Sequence, residues 1–276
     1  MKNILTIDLE DWYHGNFLED EQRYLVNPET RLVEQTMKVL SLLDKTDNKS
    51  TFFVLGECAE NFPDLILDIY KRGHEIASHG YEHKLIYKQS NDYFANDLEK
   101  SVKLLQSIIG EKVLGFRAPY WSVYKENKWV WDVLRDNGII YDSSLFPFRT
   151  YLYGDNSFPR FRYSVDVSPS STVEEIPPSV SEIRGARIPF SGGFYFRVLP
   201  YPCINYFVNR TNRKESRPAV IYLHPYELDV KKPKSSKGFL NNFILDYNIR
   251  NNEKKFLKLL TDFRFISIKS YFGFTA

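Results

Sequence analysis

Only five histidines occur in this sequence of 276 residues, and two of them stand four positions apart in His79-Gly80-Tyr81-Glu82-His83. Imidazoles one turn apart can face a single metal ion. An arbitrary pair at this spacing is more often two ordinary histidines. Here the strand-like run His74-Glu75-Ile76-Ala77-Ser78 leads into it, so His79 falls on a turn at a strand end, where packing is a poor use of two histidines. A second motif, Thr6-Ile7-Asp8-Leu9-Glu10-Asp11-Trp12, ends an apolar run in three carboxylates within four positions. Like charges so close cost energy unless a cation or a proton relieves them. Alone, the motif reads equally well as a solvated loop with one capping aspartate. Joined to the histidines, it offers two imidazoles and a carboxylate, a common hydrolytic zinc set that leaves room for a water. The first expectation is therefore a metal held by His79, His83 and one acid among Asp8, Glu10 and Asp11.

Two further motifs point the same way. Gly115-Phe116-Arg117-Ala118-Pro119-Tyr120-Trp121 turns through a proline and presents an arginine, whose planar guanidinium is suited to hold a carboxylate bidentately. A surface arginine before a turn is the plainer alternative. Ile221-Tyr222-Leu223-His224-Pro225-Tyr226-Glu227 puts His224 at the end of an apolar strand. Such a histidine is usually a satisfied core residue, but beside a metal site it can donate a proton. The five residues from His79 to His83 also fit the H-x-x-E-H signature of inverted zinc peptidases, with Glu82 as base. That rival needs a helix, which Gly80 and the preceding strand oppose.

These side chains need a frame that brings them together. Strand-like runs lie at Asn3 to Ile7, Ser50 to Leu55, His74 to Ala77, Val113 to Phe116, Ile139 to Tyr141, Thr172 to Ile176 and Ala219 to Leu223, with a last one at Phe265 to Ile268. Between them, helical periodicity covers Glu29 to Asp44, Glu57 to Arg72, Asn91 to Ile109, Glu126 to Asn137, Pro202 to Thr211 and Asn251 to Thr261. Asn27-Pro28 suits a helix start, while Gly73 and Gly138 suit helix stops. The alternation predicts parallel strands covered by helices, one barrel-like α/β domain over residues 1–276, with Phe158 to Pro189 as an irregular excursion. Asp8, His79, Arg117 and His224 each follow a strand, and strand C-termini of such a barrel share one mouth.

Composition narrows the function classes. The 37 basic and 35 acidic residues are interspersed and give a net charge of +2, so no basic face announces nucleic acid. The two cysteines, Cys58 and Cys203, fit neither a disulfide framework nor a structural zinc. Every apolar run is broken well before the ~20 residues of a membrane helix. Met1 runs directly into a strand without a signal-peptide core, which makes a cytoplasmic location the expectation. The basic run Lys231-Lys232-Pro233-Lys234-Ser235-Ser236-Lys237 offers peripheral contact with anionic lipid or membrane-associated glycan machinery, against the simpler reading of a solvated loop. Most of the 19 tyrosines and 21 phenylalanines are expected to pack the core, though aromatic rings also stack on sugars.

Taken in order, Thr6 to Trp12, Ser78 to His83, Gly115 to Tyr120, Tyr141-Asp142-Ser143-Ser144 and Leu223-His224-Pro225 resemble the sequence blocks of the polysaccharide deacetylase family, also called the NodB-homology or carbohydrate esterase type. The likeness spans nearly the whole chain. Gly73 to His79, Ser191-Gly192-Gly193-Phe194-Tyr195-Phe196-Arg197 and His224 to Glu227 are similar to its exopolysaccharide-biosynthesis branch. The resemblance implies a distorted (β/α)7 barrel and a hydrolase that removes acetyl groups from N-acetylhexosamine units of a polysaccharide or its precursor. It implies a divalent metal, zinc first, on His79 and His83, with Asp8 as general base, Arg117 orienting Asp8, His224 as general acid and the Tyr120 backbone N–H at the oxyanion. The family motif places two aspartates side by side, whereas Leu9 follows Asp8 here. Leucine cannot bind metal, but some members of the family space the two acids by one residue, so the resemblance makes Glu10 the third ligand, with Asp11 as runner-up. Other classes use parts of this set: a non-heme iron oxygenase, a metal-dependent amidase acting on a small non-sugar amide, and a carbohydrate-binding homologue without catalysis.

Overall fold

The structure is a computed structural model, and it describes residues 1–14, 30–168, 171–233 and 239–274. Its strands are β1 (Asn3–Leu9), β2 (Thr51–Val54), β3 (Glu75–Ser78), β4 (Gly115–Phe116), β5 (Tyr141–Asp142), β6 (Tyr163–Ser168), β7 (Ser171–Glu175), β8 (Val180–Ile183), β9 (Ala186–Pro189), β10 (Val220–Leu223) and β11 (Phe265–Ile266). Around them lie α1 (Leu32–Lys45), α2 (Gly56–Asn61), α3 (Pro63–Lys71), α4 (Asn91–Ile109), α5 (Trp129–Asp136), α6 (Gly193–Val198), α7 (Tyr201–Arg213), α8 (Phe239–Asp246), α9 (Ile249–Asp262) and α10 (Ile268–Phe272).

The main sheet runs β10-β1-β2-β3-β4-β5-β7-β6, with β11 added beside β1. Every pairing from β10 to β7 is parallel, so the C-terminal ends of those strands open on one side. The ring closes beyond β7, where Pro177 and Pro178 offer no N–H. Ser179 bridges the gap: its N–H donates to the Val220 carbonyl at 3.0 Å and its Oγ accepts from the Val220 N–H at 2.8 Å. The result is a distorted (β/α) barrel.

The period-two alternation of β1 sets the chemistry. Leu5, Ile7 and Leu9 face outward and join the core shared with Val39, Leu40 and Leu43 of α1. Ile4 faces the interior with Phe53, Ala77, Leu114, Tyr141 and Val220, and Thr6 and Asp8 follow it on the same face. Leu9 is therefore committed to the helix layer, where burial of one such side chain is worth roughly 1.5–3 kcal/mol.

Helix α4 starts and stops where its sequence says. Ser90 accepts from the Tyr93 N–H at the first turn, and Gly110 ends the helix at φ 73°. Glu57 to Arg72, read as one helix, is instead two: Phe62 leaves helical geometry (φ −135°, ψ 56°) because Pro63 disfavours an α conformation before it. The stretch Phe158 to Pro189 is also more regular than expected. It carries β6 antiparallel to β7, the strand expected at Thr172 to Ile176, and a separate β8-β9 hairpin whose four-residue strands are too short to show a clear period. Several other elements are shorter than expected, β4 and β5 having two residues each.

Asn27-Pro28, Glu29 and the Lys234 to Lys237 part of the basic run lie outside the described residues. Both cysteines are free, and no described helix is long and apolar enough to cross a membrane.

Candidate active site

The strand ends bring Asp8, Glu10, His79, Arg117 and His224 to the wall of one hollow of about 270 Å³. Glu10 stands one residue past the end of β1, where its N–H turns back to the Asp8 carbonyl at 3.0 Å, and its side chain lines the same hollow as Asp8. Its Oε1 lies 3.2 Å from His79 Nε2 and 3.2 Å from His83 Nε2. The two histidines are not on a helix. Gly80 (φ 79°) and His83 (φ 58°) turn the chain, and Asp97 of α4 holds the turn by accepting the N–H groups of Tyr81 at 2.7 Å and Glu82 at 3.1 Å. Glu82 is engaged by Tyr93 and Lys84, which disposes of the helical H-x-x-E-H reading.

The donor set fits a cation. His79 Nδ1 lies 2.7 Å from the Arg117 carbonyl, which can only accept, so Nδ1 carries a proton and Nε2 is the ring nitrogen turned to Glu10. His83 Nε2 is buried beside the same oxygen and makes no hydrogen bond. Burial pushes His83 down to about 4 despite Glu10, so it is neutral at pH 7. Burial alone would raise Glu10, but His83 and His79 hold it well below the usual carboxylate range. Two imidazole nitrogens and a carboxylate oxygen converge, with ligand atoms all within 4.8 Å of one another. That is the form in which these groups bind a divalent ion.

Asp11, the runner-up, is occupied elsewhere. Its Oδ2 accepts from Thr30 Oγ1 at 2.5 Å and the Arg31 N–H at 3.0 Å, its Oδ1 from the Trp12 N–H at 2.8 Å. It ties β1 to the approach of α1.

Arg117 is 1% exposed and holds Asp8 with one arm only. Nη1 donates to Asp8 Oδ1 at 2.6 Å and to Thr6 Oγ1 at 2.9 Å, while Nε and Nη2 reach the Ser143 carbonyl and hydroxyl at 3.1 and 2.8 Å. The bidentate grip expected from sequence is thus shared between Asp8 and Ser143, the residue after β5. Ser144 Oγ, itself bonded to Asp142, accepts the Ala118 N–H at 2.8 Å and fixes the start of the 117–121 turn. Tyr120 sits in that turn at φ 54° and donates its hydroxyl to the His14 carbonyl.

His224 Nε2 stands 3.7 Å from both Asp8 Oδ2 and Glu10 Oε1. Burial would lower its pKa, but Glu227 first, then Glu10 and Asp8, outweigh it and push His224 up to about 9. Glu227 lies 3.3 Å from His224 Nδ1 and accepts from Arg197 Nε at 3.1 Å. Arg197 is anchored in turn on the carbonyls of Leu245 and Tyr247, both at 3.1 Å. Neither Glu227 nor Arg197 has a role in the sequence reading, although both lie in quoted motifs; the three-residue step from His224 to Glu227 was the available signal. His14, also without a role there, accepts the Asp11 N–H at 2.9 Å and packs 5.6 Å from the His83 ring.

A barrel of parallel strands with a buried set of acids and histidines at its mouth defines the class of fold, and comparison with known proteins shows which family it resembles. Residues 26–141 match the polysaccharide deacetylase family model, and residues 143–273 match a domain of unknown function (DUF3473). The chain carries a domain of the polysaccharide deacetylase family. A peptidoglycan-N-acetylglucosamine deacetylase from Bacillus cereus is 35% identical over 99 residues, 36% of each chain. A Mycobacterium smegmatis structure described as a candidate polysaccharide deacetylase superposes with a TM-score of 0.62 at 16% identity, covering 98% of this chain and 90% of that one. A solved peptidoglycan N-acetylglucosamine deacetylase gives a TM-score of 0.53 at 20% identity, covering 99% of this chain and 89% of that one. The chain's matches span between about a third and about half of the curated relatives' length. The border between the two matched segments falls inside the sheet, since β7 of the second pairs with β5, which closes the first, and β10 of the second pairs with β1, which precedes the first.

Proposed function

We propose that this protein is a metal-dependent deacetylase of N-acetylhexosamine units in a glycan, working as one domain over residues 1–276. The convergence of Glu10, His79 and His83 on one point, with Asp8 and His224 facing it from the other side, carries the reading. Family membership of residues 26–141 and the N-acetylglucosamine deacetylase among the relatives supply the bond class.

Glu10, His79 and His83 hold a divalent ion, zinc first, which when bound polarises the acetyl carbonyl and lowers the pKa of water. Asp8 takes a proton from the attacking water. Arg117 holds that carboxylate in place, since its other donors are pinned on Thr6 and Ser143. The backbone N–H of Tyr120, in a turn set by its left-handed φ, faces the developing oxyanion. The carbon–nitrogen bond then breaks as His224 gives its proton to the departing amine, leaving acetate and a free amino sugar. An amine is too basic to leave without that proton.

Acetate release from N-acetylated chitooligosaccharides tests the reading. Chelation should abolish turnover and added divalent metal restore it. Full turnover by the metal-stripped protein, or by His79→Ala, would sink the assignment.

A further inference from the structure

Two buried acids lie outside the hollow and take no part in the reaction. Asp142 ends β5, Glu175 ends β7, and the two are paired neighbours in the parallel sheet. Both side chains are fully buried and in hydrogen-bond contact with each other. Among the described residues neither forms an ion pair with a lysine, arginine or histidine. Two carboxylates in contact without a cation cannot both be ionised, so the pair keeps one proton between them. Both oxygens of Asp142 accept from Ser144, Oδ1 from the hydroxyl at 2.6 Å and Oδ2 from the N–H at 3.1 Å. Glu175 Oε1 accepts the Leu145 N–H at 3.1 Å, while Oε2 is buried without a donor. The proton therefore sits on Glu175 Oε2 and is donated to Asp142. Burial first, and Asp142 next, push Glu175 well above the usual carboxylate range.

The titratable groups packed around the pair leave that proton where it is. Tyr163 of β6 stays a neutral phenol, because burial, then Glu175 and Asp142, oppose its ionisation. Asp166 of β6 is exposed, and Glu174 of β7 is engaged by Arg162 and Ser164. In α5, packed over β6 and β7, Arg135 pairs with Asp132 and Asp136. What the two acids hold leads to the mouth. Ser144 and Leu145 are pinned on them, and Ser143 alongside receives Nε and Nη2 of Arg117. Ser144 Oγ receives the Ala118 N–H, at the start of the turn in which Tyr120 and Trp121 both lie at positive φ, 54° and 55°. Two consecutive left-handed residues other than glycine are strained and persist only where their surroundings enforce them.

Resting on the deacetylase reading, we propose that Asp142 and Glu175 are positioning residues: sharing one proton, they lock segment 142–145 and, through it, hold Arg117 and the Tyr120 turn in the geometry the reaction uses. Glu175 lies in the segment matched by the domain of unknown function, which thereby acquires a role: it steadies a turn that belongs to the polysaccharide deacetylase segment.

Glu175→Ala removes the proton donor and the acceptor of the Leu145 N–H together, and kcat on N-acetylated chitooligosaccharides should fall about 10- to 100-fold with KM and metal content near wild type. Glu175→Gln should recover kcat, since its amide donates to Asp142 and its oxygen accepts from Leu145 as the neutral acid does. Ser144→Ala, with both acids intact, should share the loss, and it decides alone should Glu175→Ala not fold. Hydrogen exchange at the Ala118 amide reads the same clamp without turnover, at least about tenfold faster in Ser144→Ala and Glu175→Ala than in wild type or Glu175→Gln. The shared proton has its own readout. Unfolded Glu175 ionises near pH ~4.3 while the folded acid keeps its proton, so stability falls as pH rises above that value. From about pH 5 to 8 the unfolding equilibrium constant of wild type should grow relative to that of Glu175→Gln, by up to about tenfold per pH unit, until the folded acid ionises too. Parallel curves overturn the shared proton, and wild-type kcat with wild-type Ala118 exchange in Ser144→Ala overturns the positioning role. Acetate from no protein, wild type included, overturns the deacetylase reading instead, and Ala118 exchange then still decides the clamp.

Discussion

One carboxylate oxygen of Glu227 holds His224 twice: Oε2 accepts the backbone N–H of His224 at 3.1 Å and lies 3.3 Å from its ring Nδ1. Main chain and imidazole are thus fixed by the same atom, and Nε2 is left to face Asp8 and Glu10. Glu227 is itself steadied by Arg197, so the acid in the proposed reaction is oriented by a buried ion pair that reaches no reacting atom.

Glu227→Gln preserves the shape but removes the charge that keeps the Nδ1 proton in place. We expect kcat to fall roughly 10- to 100-fold, part of the 10²–10⁴ that general acid catalysis is worth, with KM and metal content near wild type. Glu227→Asp should recover part of the loss. An unchanged kcat in Glu227→Gln would remove the residue from any role in positioning His224.

Arg117 is the most heavily invested side chain at the mouth. Arg117→Ala leaves Asp8 buried at 2% exposure without its cation, so unfolding in urea should show a loss of about 3–5 kcal/mol. Arg117→Lys restores charge but not the planar fork that reaches Thr6, Asp8 and Ser143 together. Its stability should lie between the two while kcat stays low. If the lysine variant matches wild type in both, orientation of Asp8 by the guanidinium is not needed.

How far the sequence carried the site is clear from these residues. Asp8 and Glu10 stood out because three carboxylates within four positions end an apolar run, and the resemblance to a family that spaces two acids there pointed to Glu10 once Leu9 was seen between them. The helix from Asn91 to Ile109 was readable because Ser90 and Gly110 mark its ends. The partners of Arg117 and His224 were not, since Ser143 lies 26 residues from the former and Arg197 bonds Glu227 across 30. No local pattern records such a contact. The hairpin β8-β9 stayed hidden for another reason, its strands of four residues being too short to show a period.

His74 gives the fold a dependence on pH away from the reaction. Its Nδ1 accepts the Ser50 N–H at 3.2 Å and its ring packs on Phe52, and burial, with Lys49 adding, pushes it down to about 4 from 6.5. Above pH 6.5 it is neutral folded and unfolded and contributes no slope. Between 6.5 and about 4 only the unfolded chain takes the proton, so stability falls as pH falls, by about 3 kcal/mol in total, and levels off below. Urea unfolding of wild type and His74→Gln across this range should diverge by that slope. Parallel curves would show that His74 titrates normally.

Glu10 and Asp11 are adjacent, and the structure separates their parts: Glu10 faces the two histidines, while Asp11 binds Thr30 and Arg31. Glu10→Gln should lower divalent metal bound per chain and abolish the thermal stabilisation that zinc gives the wild type. That stabilisation should be about 2.7 kcal/mol at free zinc about 100 times Kd, with roughly 2–4 °C in Tm for each kcal/mol. Asp11→Asn should lose about 1 kcal/mol of fold stability, as for a lost cap, yet keep both metal content and the zinc-induced rise in Tm. His83→Ala should behave as Glu10→Gln does, because its Nε2 meets the same carboxylate oxygen. The opposite pattern, with metal lost in Asp11→Asn and kept in Glu10→Gln, would transfer the ligand role to Asp11.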